Sequence, residues 1–585
     1  MIRFDLNLDK EKLTVNALLV AATLYCAPYT SYKFLPGNPY SVPGKERNFA
    51  YNLPAGGSSS REHPFLWVSR AEIVKARNRR EPWAVSERKA LLKEAEEALR
   101  SLDFTSPSES WYEPLRGKPF DSIYPQVYKH TAKEPYRTWQ RGLALARAWA
   151  VTGKKAYSEA VVRLLRSWSS YPFGVEHYDA GLNYAVWAIM TLECYDLLYG
   201  ELTKNDHASL AHFFERCLGA IMKNDCFWIE NNIGGGLNNH LAWHKYAACA
   251  IALFYGKEEI LRFVKKGARS ITELAERGLR DQGIWIEGSI PYHLTAQYPL
   301  VAAAYLLRRS QGELSPFANG YTIRDFFSGI FKLVLPDLTL PPLGDAYGLR
   351  RFLPDSAPWE FLPEPQKDSL AGAMLPRRRR SDPWVELLTG LHRKGKDAPP
   401  LPPLHSELFS EHGYVVLRWP EGPPDPQNWT ILATYDASGV HCHADKLSFM
   451  LFARGRLWLE DREAIATSVH AFSSEIQRTL NRHSICHNTL VVDWKNQRHV
   501  KRKLQILGFV RSSDHVRTTI ADLEGLLYPG VKQLRSLLLT PNFALDILCA
   551  SSVKPSLFIL PLHLSLIHIS EPTRLGMISY AVFCL

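Results

Sequence analysis

The spacing of hydrophobic residues changes once along the chain and divides it into two kinds of structure. Between about residues 64 and 335 apolar residues recur mostly at three- and four-residue intervals, as in RTWQRGLALARAWAVTG and YAVWAIMTLECYDLLYG. This is the spacing of one face of an α-helix. After residue 405, short runs such as GYVVLRW, WTILATY and NTLVVD are rich in β-branched and aromatic residues, which is typical of strands. We therefore predict a helical domain followed by a β domain.

The local patterns also suggest how each domain is built. Successive helices that end at glycine or at polar turns predict helical hairpins, arranged either as an open solenoid or as a closed α/α toroid. The short strands predict an antiparallel β-sandwich. Residues 341–405 are rich in proline and charge, and we interpret them as a connection between the domains. The predicted helical domain spans 28–340 with its N-terminal lead-in, and the sandwich spans 406–563.

The two ends of the chain receive separate interpretations. Residues 13–25 are apolar enough for the core of a signal peptide, so we expect 1–27 to be a leader and the protein to be periplasmic or secreted. LSLIHISEPTR, which begins at Leu564, resembles a translated sequencing-library adapter. We therefore expect 564–585 to be a non-native tail and the sandwich to be incomplete at its C-terminal end.

The composition limits the classes of partner. A sequence that is 46% hydrophobic and 22% charged is that of a globular protein. Its formal net charge of +11 favours anionic partners, but no nucleic-acid-binding motif accompanies that charge, so we expect no nucleic acid. The nine cysteines form no CxxC pair, which argues against a zinc ribbon or a disulfide framework. We expect no membrane span and no organic cofactor, and the oligomeric state is left open.

The densest group of ionisable residues lies in the β domain, in HCHADKLSFMLFARGRLWLEDRE and RHSICHNTLVVD. Two histidines that are two residues apart on a strand point to the same side, and an aspartate and a third histidine from neighbouring strands could complete a His2Asp set for zinc. Hydrogen-bonded polar groups at a sheet edge would produce the same pattern. Both interpretations stay open for His443, Asp461 and His487.

A second group of polar residues lies in the helical domain, in GGGLNNHLAWHKYAA. Asn239 and His240 follow a glycine run that cannot be regular helix, so we expect them where a loop enters a helix, a position that often carries function. His240 and His244 have the spacing of zinc ligands on a helix, but the Glu of HExxH is absent. We favour packing or hydrogen bonding for His244.

The third group, in DQGIWIEGSIPYHLTAQY, places Glu287, Tyr292 and His293 just before a helix. A tyrosine, a histidine and an amide are the groups that proton abstraction next to a carboxylate requires. The same segment also contains Asp281 and Glu287, two carboxyl groups that could serve a glycoside hydrolase as acid and base.

In chain order, these segments resemble the heparinase II/III family of polysaccharide lyases, which includes alginate lyases of similar architecture. The resemblance begins at HPFLWVSRAEI and continues through NNH, EGSIPYH, PPLGDAYG, HCHAD, LEDRE and CHNTLVVD. It implies an N-terminal α/α toroid and a C-terminal antiparallel β-sandwich. It also implies an enzyme that cleaves a uronate-containing anionic polysaccharide by β-elimination and leaves an unsaturated uronate end.

The resemblance assigns catalytic roles by matching positions. Tyr292 matches the family's catalytic tyrosine and His441 its catalytic histidine, while Asn239 and His240 match the residues that neutralise the substrate carboxylate. A free tyrosine has a pKa of about 10, so a tyrosine base needs basic neighbours. Because Tyr292 and His441 belong to different domains, we expect the active site to be an interdomain cleft.

Other positions are given binding roles by the same resemblance. We expect substrate contacts from Glu287, His293 and Arg482, and a structural zinc ion at His443, Asp461 and His487. Cys442 stands where the family usually has glycine between the paired histidines, either as a bystander or as an extra thiolate ligand.

Two other functions compete with the lyase hypothesis. One is a glycoside hydrolase on an α/α toroid that uses Asp281 and Glu287. The other is a glycan-binding relative that keeps the fold without the activity.

Overall fold

The computed structural model describes ten stretches of the chain: 51–57, 61–231, 236–312, 319–346, 351–365, 367–380, 382–392, 398–436, 441–461 and 476–564. The predicted leader and residues 565–585 of the predicted tail lie outside these residues.

The described residues before 400 form mainly α-helices. They are α1 (Arg70–Asn78), α2 (Pro82–Ser101), α3 (Phe120–Val127), α4 (Glu134–Thr152), α5 (Lys155–Trp168), α6 (Ala180–Leu197), α7 (Lys204–Glu230), α8 (Asn239–Tyr255), α9 (Glu258–Lys266), α10 (Ile271–Gly278), α11 (Ile290–Gln311), α12 (Asp325–Phe331), α13 (Leu353–Ser356), α14 (Ser369–Met374) and α15 (Pro383–Thr389). A short hairpin of β1 (Leu279–Arg280) and β2 (Ile284–Trp285) precedes α11.

These helices form two layers. Helices α2, α4, α6, α8 and α11 pack side by side as an inner layer, while α5, α7 and α9 pack outside them. Almost every residue of α6 and α8 is buried, which is what a helix surrounded by other helices requires. Because each inner helix is followed by an outer one, consecutive inner helices run in the same direction. This is the hairpin architecture of the predicted α/α toroid.

The limits of α8 follow from its capping residues. The Asn238 side chain accepts a hydrogen bond from the Leu241 N–H at the start of the helix, and Gly256 ends it in the left-handed conformation, with φ +67°. Asn239 and His240 therefore occupy the first turn, as their position after the glycine run predicted.

Residues 341–405 are more than the connection that their composition suggested. They contain α13, α14 and α15, and Trp359, Leu370 and Trp384 belong to the core of the helical domain. Proline stands in the first turns of α13 and α15, where its missing N–H costs nothing. Part of the proline content therefore marks helix starts.

The C-terminal domain consists of two main antiparallel sheets. The first contains β3 (Glu407–Phe409), β4 (Tyr414–Trp419), β5 (Trp429–Thr434), β6 (Phe449–Ala453) and β7 (Arg456–Leu459) in that order. The second has the order β12-β11-β10-β9, formed by β9 (Gln505–Arg511), β10 (Val516–Asp522), β11 (Val531–Leu539) and β12 (Ala544–Ser552). A small third sheet pairs β8 (Val491–Val492) with β13 (Phe558–Ile559). The predicted antiparallel sandwich is confirmed.

The five-stranded sheet is buried on both faces. Along β4, Val415 and Leu417 belong to the core between the two sheets, whereas Val416 belongs to the core of the helical domain. Strand β5 alternates in the same way, with Ile431 in the sandwich core and Leu432 in the helical core. Because side chains alternate along a strand, one sheet joins both domains.

Polar contacts also join the helical domain to the sandwich. The Asp281 carboxylate accepts hydrogen bonds from the backbone N–H groups of Glu411 (2.9 Å) and His412 (2.6 Å), and it lies 3.0 Å from the His412 ring. Burial alone would raise the pKa of Asp281, but these donors, led by the His412 ring, lower it. Asp281 therefore connects the β1–β2 hairpin to the sandwich as a carboxylate.

Asp281→Ala tests this junction. We expect the variant to lose about 2–4 kcal/mol of stability at neutral pH, because buried donors lose a charged acceptor. The folded-state pKa of Asp281 is lowered, so its contribution is present above the unfolded-state pKa of about 4 and is lost as the pH falls below it. Urea unfolding at several pH values measures both effects. Asp514→Ala, at an exposed carboxylate of the sandwich, is the control, and equal stability of the two variants would contradict the prediction.

Candidate active site

The predicted catalytic pair lies where the two domains meet. Tyr292 is in the first turn of α11, and His441 lies in the segment between β5 and β6. Their rings are stacked, with centroids 3.3 Å apart and planes inclined by 16°. The structure thus brings together, at the junction of the two domains, two residues that are far apart in the sequence.

Backbone hydrogen bonds hold His441 against two loops of the helical domain. The His441 N–H donates to the Glu287 carbonyl at 3.1 Å, and the Asp345 N–H donates to the His441 carbonyl at 3.0 Å. Gly344 makes this approach possible, because its φ is +66° and a Cβ there would lie 2.6 Å from the His441 carbonyl oxygen. His441 is therefore fixed by backbone as well as by side-chain contacts.

The Asp345 carboxylate lies at the centre of this site and was missed as a site residue in the sequence analysis. It is fully buried and contacts His441 Nδ1 (2.8 Å), His443 Nε2 (2.9 Å) and Arg482 Nε (3.1 Å). Burial would raise the pKa of Asp345, but Arg482 first and then the two histidines hold it well below its usual value. Asp345 belongs to the quoted segment PPLGDAYG, so its place in the ordered series of motifs was the available signal.

Glu287 forms a second buried acceptor beneath the cleft. Its carboxylate accepts from the Asn239 N–H (3.0 Å) and from Trp285 Nε1 (2.7 Å), and it lies 3.6 Å from His441 Nε2. Only 3% of Glu287 is exposed. Glu287 therefore links the first turn of α8 to His441. We predicted that Glu287 contacts the substrate, but in the structure its carboxylate binds Asn239 and Trp285 of the protein itself.

His240 lies in the same helical turn as Asn239, beside an aromatic ring and a carboxylate. Its imidazole stacks on Trp228 with ring centroids 4.0 Å apart, and its Nε2 is 3.5 Å from an oxygen of Asp179. Asp179 precedes α6, and His240 lies in the first turn of α8. The Trp228 face and the Asp179 charge, neither of which we predicted, orient the His240 ring.

His293 and Arg482 do not lie where a substrate contact would place them. His293 is fully buried, accepts a hydrogen bond from the Trp285 N–H at Nδ1 (3.0 Å) and places Nε2 3.1 Å from the Phe326 carbonyl. Burial lowers its pKa to about 3. Arg482 is 2% exposed and is paired with Asp345. These geometries correct both predictions: the two side chains support the site from within the protein.

The predicted metal ligands lie in the same buried region, with one change in the set. Donor atoms of Asp445, Asp461 and His487 all lie within 4.8 Å of one another. Asp445 is thus a further candidate ligand beside the predicted His443, whose Nε2 faces Asp345. The His443 and His487 rings are nevertheless only 5.1 Å apart between centroids.

The chemistry of this cluster suits a cation. Burial first, and then the charge of Asp461, raises the pKa of Asp445 to about 7. Nδ1 of His443 and Nε2 of His487 are buried and have no hydrogen-bond partner among the described residues. Two close carboxyl groups and two such nitrogens form a donor set that zinc accepts. The Cys442 thiol approaches the Gly288 carbonyl at 3.5 Å, and burial raises its pKa, which favours the bystander interpretation.

The alternative pair of glycosidase acids is not arranged for hydrolysis. Asp281 is used at the domain junction and Glu287 is held by Asn239 and Trp285. The described geometry therefore disfavours the glycoside hydrolase hypothesis.

Comparison with known proteins supports a lyase fold. Residues 121–332 match the family model described as alginate lyase, and residues 401–543 match the model described as heparinase II/III-like, C-terminal. The fold is similar to the crystal structure of heparinase III, with a TM-score of 0.54, 15% identity and coverage of 85% of this chain and 73% of that one. A comparison with curated proteins gave no match.

Two further solved structures are similar at lower scores. Heparan sulfate lyase HepC from Pedobacter heparinus has a TM-score of 0.46 and 15% identity, covering 83% of this chain and 77% of that one. The chondroitin AC lyase of Streptomyces coelicolor A3 has a TM-score of 0.49 and 12% identity, covering 82% and 68%.

The two family-model matches, and not the fold alone, make the chain a polysaccharide lyase, an enzyme that acts on uronate-containing glycans by β-elimination. More particularly, it carries a heparinase II/III-like C-terminal domain after an alginate-lyase domain, as the ordered sequence motifs predicted. Among the described residues, no helix is long and apolar enough to cross a bilayer.

Asp345→Asn tests the role of the central carboxylate. We expect kcat to fall about 10²–10⁴-fold, because an amide cannot accept from two imidazoles and Arg482 together and His441 loses its orientation. KM should change little, since Asp345 is fully buried. Steady-state kinetics on a uronate polymer, with circular dichroism to verify the fold, measures this. Asp368→Asn, at a helix N-cap that asparagine also satisfies, is the matched control, and a folded Asp345 variant with full activity would refute the assignment.

Proposed function

We propose that Tyr292 and His441 are the proton-transfer pair of a β-elimination that cleaves an anionic, uronate-containing polysaccharide at the domain junction. The observation that carries the proposal is the 3.3 Å stack of these two rings between the toroid and the sandwich. A tyrosine and a histidine in contact can divide the removal and the delivery of a proton between them.

The first requirement of the reaction is charge neutralisation. The C5 proton of a 4-linked uronate lies next to a carboxylate and is far too weakly acidic until that charge is neutralised and the developing enolate is stabilised. Asn239 and His240 would supply this stabilisation from the first turn of α8. Donors aimed at charge that grows in the transition state lower the barrier more than they strengthen ground-state binding. The N-terminus of α8 adds a favourable field for an anion.

The second requirement is a base for the C5 proton and an acid for the departing O4. The contact with Asp345 favours the His441 tautomer that carries its proton on Nδ1, which leaves Nε2 as the acceptor. In that arrangement His441 takes the proton and Tyr292 donates one to O4. The opposite stereochemistry at C5 would let Tyr292 perform both transfers, so the substrate decides between the two routes.

The polymer and its compartment are part of the proposal. The similarity to heparinase III supports an acidic glycan such as a glycosaminoglycan, and a net charge of +11 would attract any such polyanion. We also propose a periplasmic or secreted location, on the basis of the apolar segment 13–25.

Turnover and the Tyr292→Phe variant test the reaction. Digestion of uronate polysaccharides should give a C4–C5 double bond that absorbs in the ultraviolet, without uptake of oxygen from labelled water. Tyr292→Phe should lower kcat by about 10²-fold or more while binding is kept. Labelled oxygen in the product would show hydrolysis instead. Full activity of Tyr292→Phe would remove Tyr292 from the mechanism, and Tyr128→Phe, at an exposed tyrosine, is the matched control.

We further propose that Asp461 and His487, with Asp445 or His443, hold a structural zinc ion. The close carboxyl groups and the two buried ring nitrogens support this. A bound cation would offset the charge of Asp461 and stabilise the segment that carries His441.

Metal analysis tests the zinc proposal and its ligand set. Elemental analysis of the purified protein should find about one zinc per chain, and chelation should lower the Tm, because an ion that binds the folded state stabilises it. Asp461→Ala should abolish binding. Asp445→Ala and His443→Ala are then compared. The variant that retains less zinc per chain identifies the third ligand. Metal-free protein with an unchanged Tm after chelation would overturn the proposal.

A further inference from the structure

A second cavity lies inside the helical domain, away from the catalytic cleft. Its volume is about 730 Å³, within the range of about 300–1,000 Å³ that small-molecule sites occupy. Inner helices α4, α6, α8 and α11 all contribute side chains to its wall, the segment 360–389 contributes others, and Trp67 and Glu72 complete it. We call this space the lumen.

Each inner helix presents one stripe of residues to the lumen. On α4 the lining residues are Tyr136, Gln140, Leu143 and Arg147, at intervals of four, three and four residues, which is one face of a helix. The lumen is therefore an organised interior of the toroid and is not a gap between loops.

The lumen begins about one helical turn beyond the proposed catalytic residues. On α8 its first lining residue, Trp243, comes three residues after His240, about 4.5 Å along the axis. On α11 the lining residues Tyr298, Tyr305 and Arg309 come six to 17 residues after Tyr292, about 9–25 Å along the axis. None of the four proposed catalytic residues contributes to the wall, so a ligand in the lumen would contact a different set of residues.

Aromatic rings dominate the wall. Trp243 and Tyr298 stack with ring centroids 5.5 Å apart, and Tyr136 and Tyr298 keep 39% and 37% of their surface exposed. Trp67 is fixed by a hydrogen bond from its Nε1 to the Tyr246 hydroxyl at 2.9 Å. Rigid aromatic faces of this kind are suited to the apolar C–H face of a sugar ring.

The polar groups of the wall are mostly paired and fixed. Arg147 binds Glu193 through two hydrogen bonds of 2.9 and 3.1 Å, and Arg309 binds Glu72 through two of 2.8 and 3.1 Å. The side chain of Glu193 is 8% exposed. Such bidentate pairs hold their remaining donor and acceptor positions in place for the hydroxyl groups of a ligand.

The charges of the wall are balanced. Five carboxylic residues and three arginines line the lumen, and two of the five, Glu360 and Glu364, are paired with Arg378 (2.9 Å) and Lys367 (2.6 Å) just outside it. A wall whose charges are paired offers a polyanion no net attraction. From the cavity, its aromatic faces and its paired polar groups, we propose that the lumen is a second, non-catalytic site that binds an uncharged saccharide of one or two sugar units.

Binding of neutral disaccharides to the full-length protein tests the proposal. Cellobiose, lactose and maltose would be titrated with detection by saturation-transfer NMR and calorimetry. We expect at least one of them to bind saturably with a Kd of roughly 0.1–1 mM. Tyr298→Ala should weaken that binding at least tenfold, whereas Tyr298→Phe, which keeps the ring, should retain it. Tyr128→Ala, at an exposed tyrosine outside the lumen, should bind as the unmodified protein does.

Further variants separate the lumen from the cleft. Tyr292→Phe should leave neutral-sugar binding unchanged, and uronate oligosaccharides should not compete for it. Circular dichroism and the Tm of Tyr298→Ala verify that this variant is folded. Three outcomes would overturn the proposal: no probe binds saturably below about 10 mM, Tyr298→Ala binds normally, or Tyr292→Phe abolishes binding. Failure of the lyase assay alone would affect the proposed reaction and not the lumen.

Discussion

The five-stranded sheet is buried on both of its faces, and the position of the active site depends on this double burial. Alternate residues of β4 and β5 belong to different cores, as Val415 and Val416 do. A register slip of one residue would move every side chain of these strands into the other core. The segment that follows β5 is thereby delivered to the N-terminal ends of the inner helices, and His441 meets Tyr292 there.

Hydrogen bonds to Asp345 fix the side chains that the hydrophobic junction brings together. Burying a carboxylate such as Asp345 is costly unless its acceptors are satisfied, and here two histidines and an arginine satisfy them. One consequence is mechanical: His441 and His443 share a single carboxylate, so the orientation of the proposed proton-transfer histidine is tied to that of a residue beside the candidate metal cluster. A side-chain movement at the candidate metal cluster that shifts His443 would therefore also shift Asp345 and His441.

The sequence was sufficient for the parts of the structure that local rules control. The change of hydrophobic spacing predicted the helical and β domains, and the glycine run before Asn239 predicted the start of α8. The order of the motifs led us to predict that Tyr292 and His441 belong to one site. Local rules could not show that Asp345 faces His441, because 96 residues separate them and loop residues carry no periodic signal. Nor could they show that His293, adjacent to Tyr292, points into the core.

The electrostatic environment differs between one end of the toroid and its interior, because of the direction of the inner helices. Because consecutive inner helices run in the same direction, the N-termini of α8 and α11 lie at the end that carries Asn239 and Tyr292. Helix N-termini favour negative charge, so this end suits an anionic polymer. The proposed lumen site takes its side chains from residues further along the same helices, where Arg147 is paired with Glu193 and Glu360 with Arg378. One arrangement of helices thus creates two environments: helix N-termini at the end that carries Asn239 and Tyr292, and aromatic rings with paired charges in the interior.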